Sequence, residues 1–349
     1  MTERPEWLRA PRFSAIWIAT ALLFAISPLL ASGSVSHSAL LSTLPFAAIL
    51  AIAAIGQTLV VQQRGLDFSV AGMITLSTII VTKYPHGHDG RLPAAIGLIA
   101  LACIASGLIS GIAITRFSVT PLVATLGVNA LLTGVVLQIT SGSATAAAPG
   151  GLARFALDKT LGIPDTVIVA IVVIAIVAAA VRVTVVGRRF VLVGANPAAA
   201  HAAGIRVNRY VLSTYVLASL VYGGAGILIA GFLGTPGISA GNDYLLPTIA
   251  AVVLGGTSLA GGIGSVVATA GGALFLTQLE QVVLGSGAGI SGQYIIQGTI
   301  IALGMAIRNF PRSSLAGLGA RIAASVKNGP GATGPPGGPI AQTPKASGD

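Results

Sequence analysis

The stretch GRRFVLVGANPAAAHAAGIRVNR, Gly187 to Arg209, separates two long apolar runs, Val167 to Val186 before it and Val211 to Leu233 after it. Runs of about 20 apolar residues are what a helix needs to cross ~30 Å of hydrocarbon. Arg182 lies just ahead of the break, and Arg188, Arg189, Arg206 and Arg209 lie within it, with no acidic residue among them. Inside it is a short helix signature. Asn196 is a good N-cap, because its side-chain oxygen accepts from the first free backbone N–H groups. Pro197 suits the first helical position. Ala198, Ala199, Ala200, Ala202 and Ala203 have the highest helix propensity, and Gly204 can take the left-handed conformation that ends a helix. The stretch therefore reads as a small, Ala-faced helix on a basic loop between two membrane spans. Two roles are open for it: an ordinary connection, or a docking knob whose small side chains let a soluble partner approach the backbone.

Composition points the same way. Of 349 residues, 54% are hydrophobic and 8% charged, whereas a soluble domain has roughly 25% charged residues. The net charge of +10 is mostly loop arginine, so membrane orientation explains it better than nucleic acid does. Cys103 is the single cysteine and lies in an apolar run, which excludes an intrachain disulfide and a Cys-rich metal site. His37, His86, His88 and His201 all fall in loops. HGHD, His86 to Asp89, could touch a metal, but a solvated loop is the preferred reading.

The expected fold is an all-α polytopic transmembrane helical bundle of about ten spans, within a range of 8–10. The spans run Phe13–Ala31, Leu44–Val61, Phe68–Thr82, Leu92–Ile114, Val119–Thr140, Pro164–Val186, Tyr210–Leu233, Tyr244–Leu259, Ile263–Leu284 and Ser291–Ile307. The first resembles a signal peptide, but its length and the resulting topology favour its retention. The eighth is short, holds Pro247 and runs into Gly255-Gly256, so a broken or re-entrant helix is an alternative. With the N-terminus inside, 15 of the 19 Lys and Arg fall on inner segments and Lys83, Arg91, Arg154 and Lys159 on outer loops. That bias predicts two cytoplasmic termini. The organisation is thus a cytoplasmic segment 1–12, a transmembrane domain 13–307 with its cytoplasmic loop 187–209, and a tail 308–349 expected to be disordered.

Small residues at helical spacing, Gly107/Gly111, Gly226/Ala230/Gly234 and Ala268/Gly272, predict close helix contacts. Gln57, Asn129, Gln138, Gln278 and Glu280 are polar residues within spans. For Gln57 and Asn129 an interhelical hydrogen bond is preferred over a role in a solute pathway. Arg64 and Asp67, three apart, are expected to pair. No set of catalytic residues and no phosphate-binding loop is present, so any nucleotide hydrolysis must come from another chain. Gly255, Gly256, Gly261 and Gly262 around TSLA read as a tight inner turn.

Four stretches together resemble the permease subunit of bacterial ABC importers of the ribose/simple-sugar, branched-chain amino acid-like class. These are GQTLVVQQRGLDFSVAG (Gly56–Gly72), VTPLVATLG (Val119–Gly127), GRRFVLVGANPAAAHAAGIRVNR and IAAVVLGGTSLAGGIGSVVATAGGAL (Ile249–Leu274), in order within Leu44 to Ile307. The motif positions are Gly65, Asp67, Ser69, Gly255, Gly256, Gly261 and Gly262. The resemblance implies that Arg188, Asn196, Pro197, Ala200 and Gly204 belong to a coupling loop that sits in a cleft of an ATPase subunit. Further implied partners are an extracytoplasmic solute-binding protein and a second permease subunit, identical or not, in the bacterial inner membrane. No cofactor and no bond-changing chemistry are implied for this chain. The eighth span begins YLLPTIAA, where the family usually places acidic or polar residues, so the solute stays open. The alternative is a secondary carrier or facilitator acting without an ATPase; against it, no second deep acid or histidine lies in a span.

Overall fold

The computed structural model describes residues 13–143 and 146–287, with 289, 291, 292, 294–296, 298, 299 and 302. The chain divides into units Met1–Gly304 and Met305–Asp349, and the second lies wholly outside the described residues. The expected segment 1–12, most of the tenth span and the tail 308–349 therefore fall outside them.

Nine of the expected spans are helices: α1 (Ser14–Leu30), α2 (His37–Gln62), α3 (Val70–Lys83), α4 (Leu92–Arg116), α5 (Pro121–Thr140), α7 (Asp165–Val183), α10 (Val207–Leu233), α11 (Asn242–Leu254) and α12 (Val266–Gly285). Among the described residues three shorter α-helices lie in connections, α6 (Gly150–Leu157), α8 (Val185–Ala195) and α9 (Pro197–Ala202), with one 3-10 turn at Asp89–Arg91. Among the described residues the only strands are the pair Lys159–Thr160 and Ile163–Pro164. Among the described residues six helices are long and apolar enough to cross a membrane: α2, α4, α5, α7, α10 and α12. The molecule is an all-α membrane helical bundle.

Helix α2 is its axis, with 89% of its most apolar 18 residues buried. Ser36 caps it, accepting from Ala39 N–H at 3.3 Å. Against α2 packs α10, and α10 lies against α4 through a small-residue face. A Cβ on Gly107 would fall 2.4 Å from Val216 Cα, and one on Gly111 would fall 3.0 Å from Leu212 Cα. The stripe on α12 is used in the same way, since a Cβ on Gly272 would meet the Ala251 carbonyl of α11 at 2.4 Å. Gly226 of α10 approaches the Ile74 carbonyl of α3. Gly234, expected to extend that face, instead ends α10 with φ +71° and nothing within 4 Å of its missing side chain. Helix α1 packs on α12: the Trp17 ring covers Gly271, and Gln278 Nε2 donates to Ser27 Oγ at 3.1 Å.

Three expectations need correction. The eighth span ends at Leu254 rather than Leu259, because Gly256 takes φ +89° and turns the chain. Its 13 residues reach about 20 Å, short of ~30 Å of hydrocarbon; α3, with 14 residues, is similar. Helix α3 is enclosed by protein over nearly its whole length and α11 over its second half, from Thr248 to Val253, which is where such short helices are tolerated. The sixth span ends at Val183, since Thr184 is extended (φ −85°, ψ 157°) and serves α7 as C-cap and α8 as N-cap. The segment from Gly187 to Ala195 is then helix, not loop, and buries Gly187, Phe190, Val193 and Gly194 on one face.

Connections meet in two groups. The α2–α3 joint, α8 and the turn 255–264 bond to one another, and Asn208 reaches the Thr115 carbonyl. Elsewhere Asp89 accepts from Gly151 N–H at 2.7 Å, Lys83 Nζ donates to the Ile139 carbonyl at 2.6 Å, and Ala148 N–H donates to the Gly234 carbonyl at 2.7 Å. Each group contains only segments that the alternation of spans assigns to one side.

Candidate functional site

The site is built where α2 ends. Gln62 closes that helix, and residues 63–69 form the joint to α3. From this joint three side-chain hydrogen bonds run to backbone carbonyls of α8. Gln63 Nε2 donates to Phe190 O at 2.8 Å, Arg64 Nε to Gly194 O at 2.8 Å, and Arg64 Nη2 to Ala195 O. The last carbonyls of a helix have no partner within it and carry partial negative charge, so a guanidinium is a fitting cap. Contact is close enough to forbid a side chain at Gly194, whose Cβ would stand 2.0 Å from the Gln62 carbonyl. That carbonyl accepts from Gly262 N–H at 2.9 Å. The turn 255–264 thereby joins the cluster; Gly261 and Gly262, with φ +85° and +74°, pack against Arg64 and Ala195.

The expected ion pair of Arg64 with Asp67 does not form. Arg64, at φ +65°, sends its side chain to α8; among the described residues the salt bridge present is Arg154–Asp89 at 3.6 Å.

On this base stands α9. Asn196 is extended (φ −150°, ψ 93°) and its side chain accepts from Ala199 N–H at 3.0 Å. Pro197 opens the helix and Gly204, at φ +76°, closes it. Ala198, Ala199, His201, Ala202 and Ala203 are exposed. Ala200, expected to offer surface to a partner, is 0% exposed and faces the chain itself. On a helix of six residues one face must point inward, and Ala200 is on it. Arg188 donates to the Val183 carbonyl at 3.1 Å and so caps α7, while Arg189 is exposed.

Behind the joint lies a buried polar cluster. Asp67 is 1% exposed; its Oδ1 accepts from Ser69 N–H at 2.9 Å and from Ser69 Oγ–H at 2.5 Å, and its Oδ2 has no protein partner. Asp67 sits in the joint, outside both flanking helices, and burial pushes its carboxyl up to about 6. Gln57, fully buried, turns its amide to donate to Tyr222 Oη and the Asp67 carbonyl, each at 3.1 Å, and to accept from Asp67 N–H at 3.2 Å. Gly65 leaves room for the Tyr215 hydroxyl, which a Cβ there would meet at 2.3 Å. Asn129 Oδ1 accepts from Gly72 N–H at 2.8 Å, tying α5 to α3. Gln57 and Asn129 thus both make interhelical hydrogen bonds. Gly255 packs on Thr269 of α12.

Of the motif positions, Gly261 and Gly262 lie at the base of the α8–α9 element; Gly65, Asp67 and Ser69 lie in the joint among Tyr215 and Gln57, and Asn129 ties α5 to Gly72 at the start of α3. Sequence reasoning missed Gln62, Gln63, the direction of Arg64, and Tyr215 and Tyr222. The two tyrosines, two turns apart on α10, carried a usable helical spacing. Among the described residues no group of three metal-ligating side chains occurs. What the site offers chemically is a rigid, exposed, small-residue surface bonded to the end of the central helix.

Residues 39–310 match the family model described as branched-chain amino acid transport system / permease component. The chain is 32% identical over 296 residues to the ribose import permease protein of Escherichia coli K12, covering 84% of this chain and 92% of that protein. It is 33% identical over 238 residues to the autoinducer 2 import system permease protein of Enterobacter sp. strain 638, 68% of each chain. It is 28% identical over 275 residues to the galactose/methyl galactoside import permease protein of Haemophilus influenzae, 73% of this chain and 82% of that one. No solved structure matches the chain significantly.

Proposed function

Because the chain belongs to the family of branched-chain amino acid transport system permease components, we propose that it is the membrane-spanning subunit of an ATP-binding cassette importer for a sugar or similar polar solute. The family description names amino acids, but relatives that match along most of their length are import permeases for ribose and for galactose/methyl galactoside. One observation carries the mechanical part of this reading: α9 stands exposed, capped by Asn196 and Gly204, on a base that Arg64 bonds to the end of α2. An ATPase can drive a membrane pathway only through a contact that resists deformation. Here a push on α9 reaches the central helix of the bundle through hydrogen bonds rather than through a slack loop.

In this reading the group of connections containing α9 is cytoplasmic, the chain crosses the inner membrane ten times, and both termini lie inside. The Lys and Arg distribution supports that orientation, with 15 of 19 on that side. ATP hydrolysis belongs to a separate ATPase chain gripping α9, a binding protein delivers solute at the opposite face, and a second permease subunit completes the pathway. Arg188, Asn196, Pro197 and Gly204 shape the coupling element, with Ala200 as its inner packing residue. The test is uptake by the chain reconstituted with and without its ATPase subunit. Uptake should require both the ATPase and ATP; solute accumulation by the chain alone would overturn the proposal.

A further inference from the structure

From the last turn of α6 to the start of α7 the chain turns apolar side chains outward. Phe155, Leu157, Leu161 and Ile163 are 43%, 59%, 96% and 45% exposed. Lys159–Thr160 pairs antiparallel with Ile163–Pro164, leaving Leu161 and Gly162 as a two-residue turn with φ +55° and +80°. That backbone favours Asn-Gly or Gly-Gly, because both central residues need positive φ. A leucine in it carries a steric cost, and at 96% exposure it gains almost no packing within the chain. The hairpin is otherwise well braced. Thr160 N–H donates to Asp165 Oδ1 at 2.9 Å, Lys159 N–H to Asp158 Oδ1 at 3.1 Å, and Asp165 N–H to the Asp158 carbonyl at 3.1 Å. Both carboxylates are therefore engaged on backbone, and the leucine projects from a rigid tip.

The hairpin runs directly into α7, of whose most apolar 18 residues only 11% are buried by protein. In a membrane bundle such a helix faces lipid. Its 19 residues span about 28 Å, nearly the whole hydrocarbon core, beyond which each leaflet has roughly 5–8 Å of headgroup region. Leu161 lies four residues before Asp165, so no more than about 14 Å of chain separates them. The tip is tethered within reach of the headgroups, continuous with a lipid-facing surface, and the exposed Lys159 beside it is a fitting neighbour for lipid phosphates.

We propose that the 159–164 hairpin is an interfacial anchor, with Leu161 and Ile163 seated at the headgroup–acyl boundary of the bilayer. This rests on the multi-pass membrane reading and not on transport. The test uses the full chain, in a Cys103→Ala background, reconstituted into phosphatidylcholine–phosphatidylglycerol vesicles. An environment-sensitive fluorophore is placed on Leu161→Cys, on Ile163→Cys, and on His88→Cys as the polar-loop control. Lipid carrying a nitroxide near the top of its acyl chain should quench the first two at least about threefold more than the control. Adding Leu161→Asn, which suits the turn but removes the apolar tip, should weaken quenching at position 163. Equal quenching at 161 and 88, with free access of iodide to both, would overturn the anchor. So would a probe at 161 that is shielded only when a purified solute-binding protein is added, which would make the hairpin a protein-docking surface.

Discussion

Arg64 donates to the carbonyl oxygen of Gly194 at 2.8 Å, across 130 residues of sequence. One guanidinium so joins the end of the central helix to the base of α9, a short exposed helix with caps at both ends. Removing it leaves carbonyls of α8 without their charged donor, a loss of about 1.5–3 kcal/mol per hydrogen bond to a charged group. Arg64→Ala should insert and bind its ATPase, yet lose about tenfold or more of solute-stimulated ATP hydrolysis, with Arg64→Lys intermediate because one donor fork becomes a point charge. Unchanged stimulation in Arg64→Ala would remove the joint from the coupling route.

The outer face of α9 allows a sharper test than its buried one. Ala199→Glu and Ala202→Glu keep good helix formers on exposed positions but would bury an unpaired charge against a docked ATPase, at a cost of several kcal/mol. Both variants should reach the membrane at normal levels and fail to co-purify with the ATPase. Ala200→Glu should instead reduce the amount of folded chain, because Ala200 has no exposed surface. Retention of the ATPase by both outer-face variants would show that α9 is an ordinary connection.

Asp67 makes stability depend on pH. Its carboxyl is raised from 3.8 to about 6 by burial, so between those values the folded chain holds the proton more tightly than the unfolded chain. Stability is therefore greatest below the lower value and falls as pH rises through about 6, by up to about 3 kcal/mol. Asp67→Asn keeps an oxygen for Ser69 and cannot ionise. In detergent it should melt higher than the parent protein at pH 7.5 and close to it at pH 4. Parallel melting curves across that range would show that Asp67 is solvated.

The α4–α10 contact should tolerate no bulk. A side chain at Gly107 would meet Val216 Cα at 2.4 Å, so Gly107→Val should abolish folded protein, whereas Gly97→Val, with nothing within 4 Å, should not. Size-exclusion profiles of the two in the same detergent separate these outcomes.

Orientation can be read by thiol labelling in Cys103→Ala cells. Ser36→Cys and Gly150→Cys should react with an impermeant reagent from outside and Ala202→Cys should not, since all three positions are exposed and only the last lies on the Arg-rich side. Labelling of Ala202→Cys in sealed cells would invert the topology.

Much of this was legible in the residues. Apolar runs located nine helices, and Asn196, Pro197 and Gly204 marked α9 with its caps, because both signals are local. Helix α8 was not seen, since GRRFVLVGA reads as a basic break until Gly187, Phe190, Val193 and Gly194 are noticed at helical spacing. The Arg64–Asp67 spacing suggested a pair, but the backbone turn at Arg64 sends its charge to a partner far along the chain. Which side of α9 faces inward depends on what lies beneath it, and no pattern in six residues records that.

The docking of α1 on α12 sets a waiting time. Ser27 and its partner Gln278 are 251 residues apart, so at ribosomal rates of about 5–20 residues per second the first helix exists for roughly 13–50 s before its partner is made. During that interval its polar side chains are not stranded in lipid: Thr20 Oγ1 donates to the Ile16 carbonyl at 2.8 Å and Ser27 Oγ to the Leu23 carbonyl at 2.7 Å. These bonds lie within α1 and need no neighbour. The helix can enter the bilayer self-satisfied, and the same hydroxyls later meet α12, so the order of synthesis and the order of assembly need not coincide.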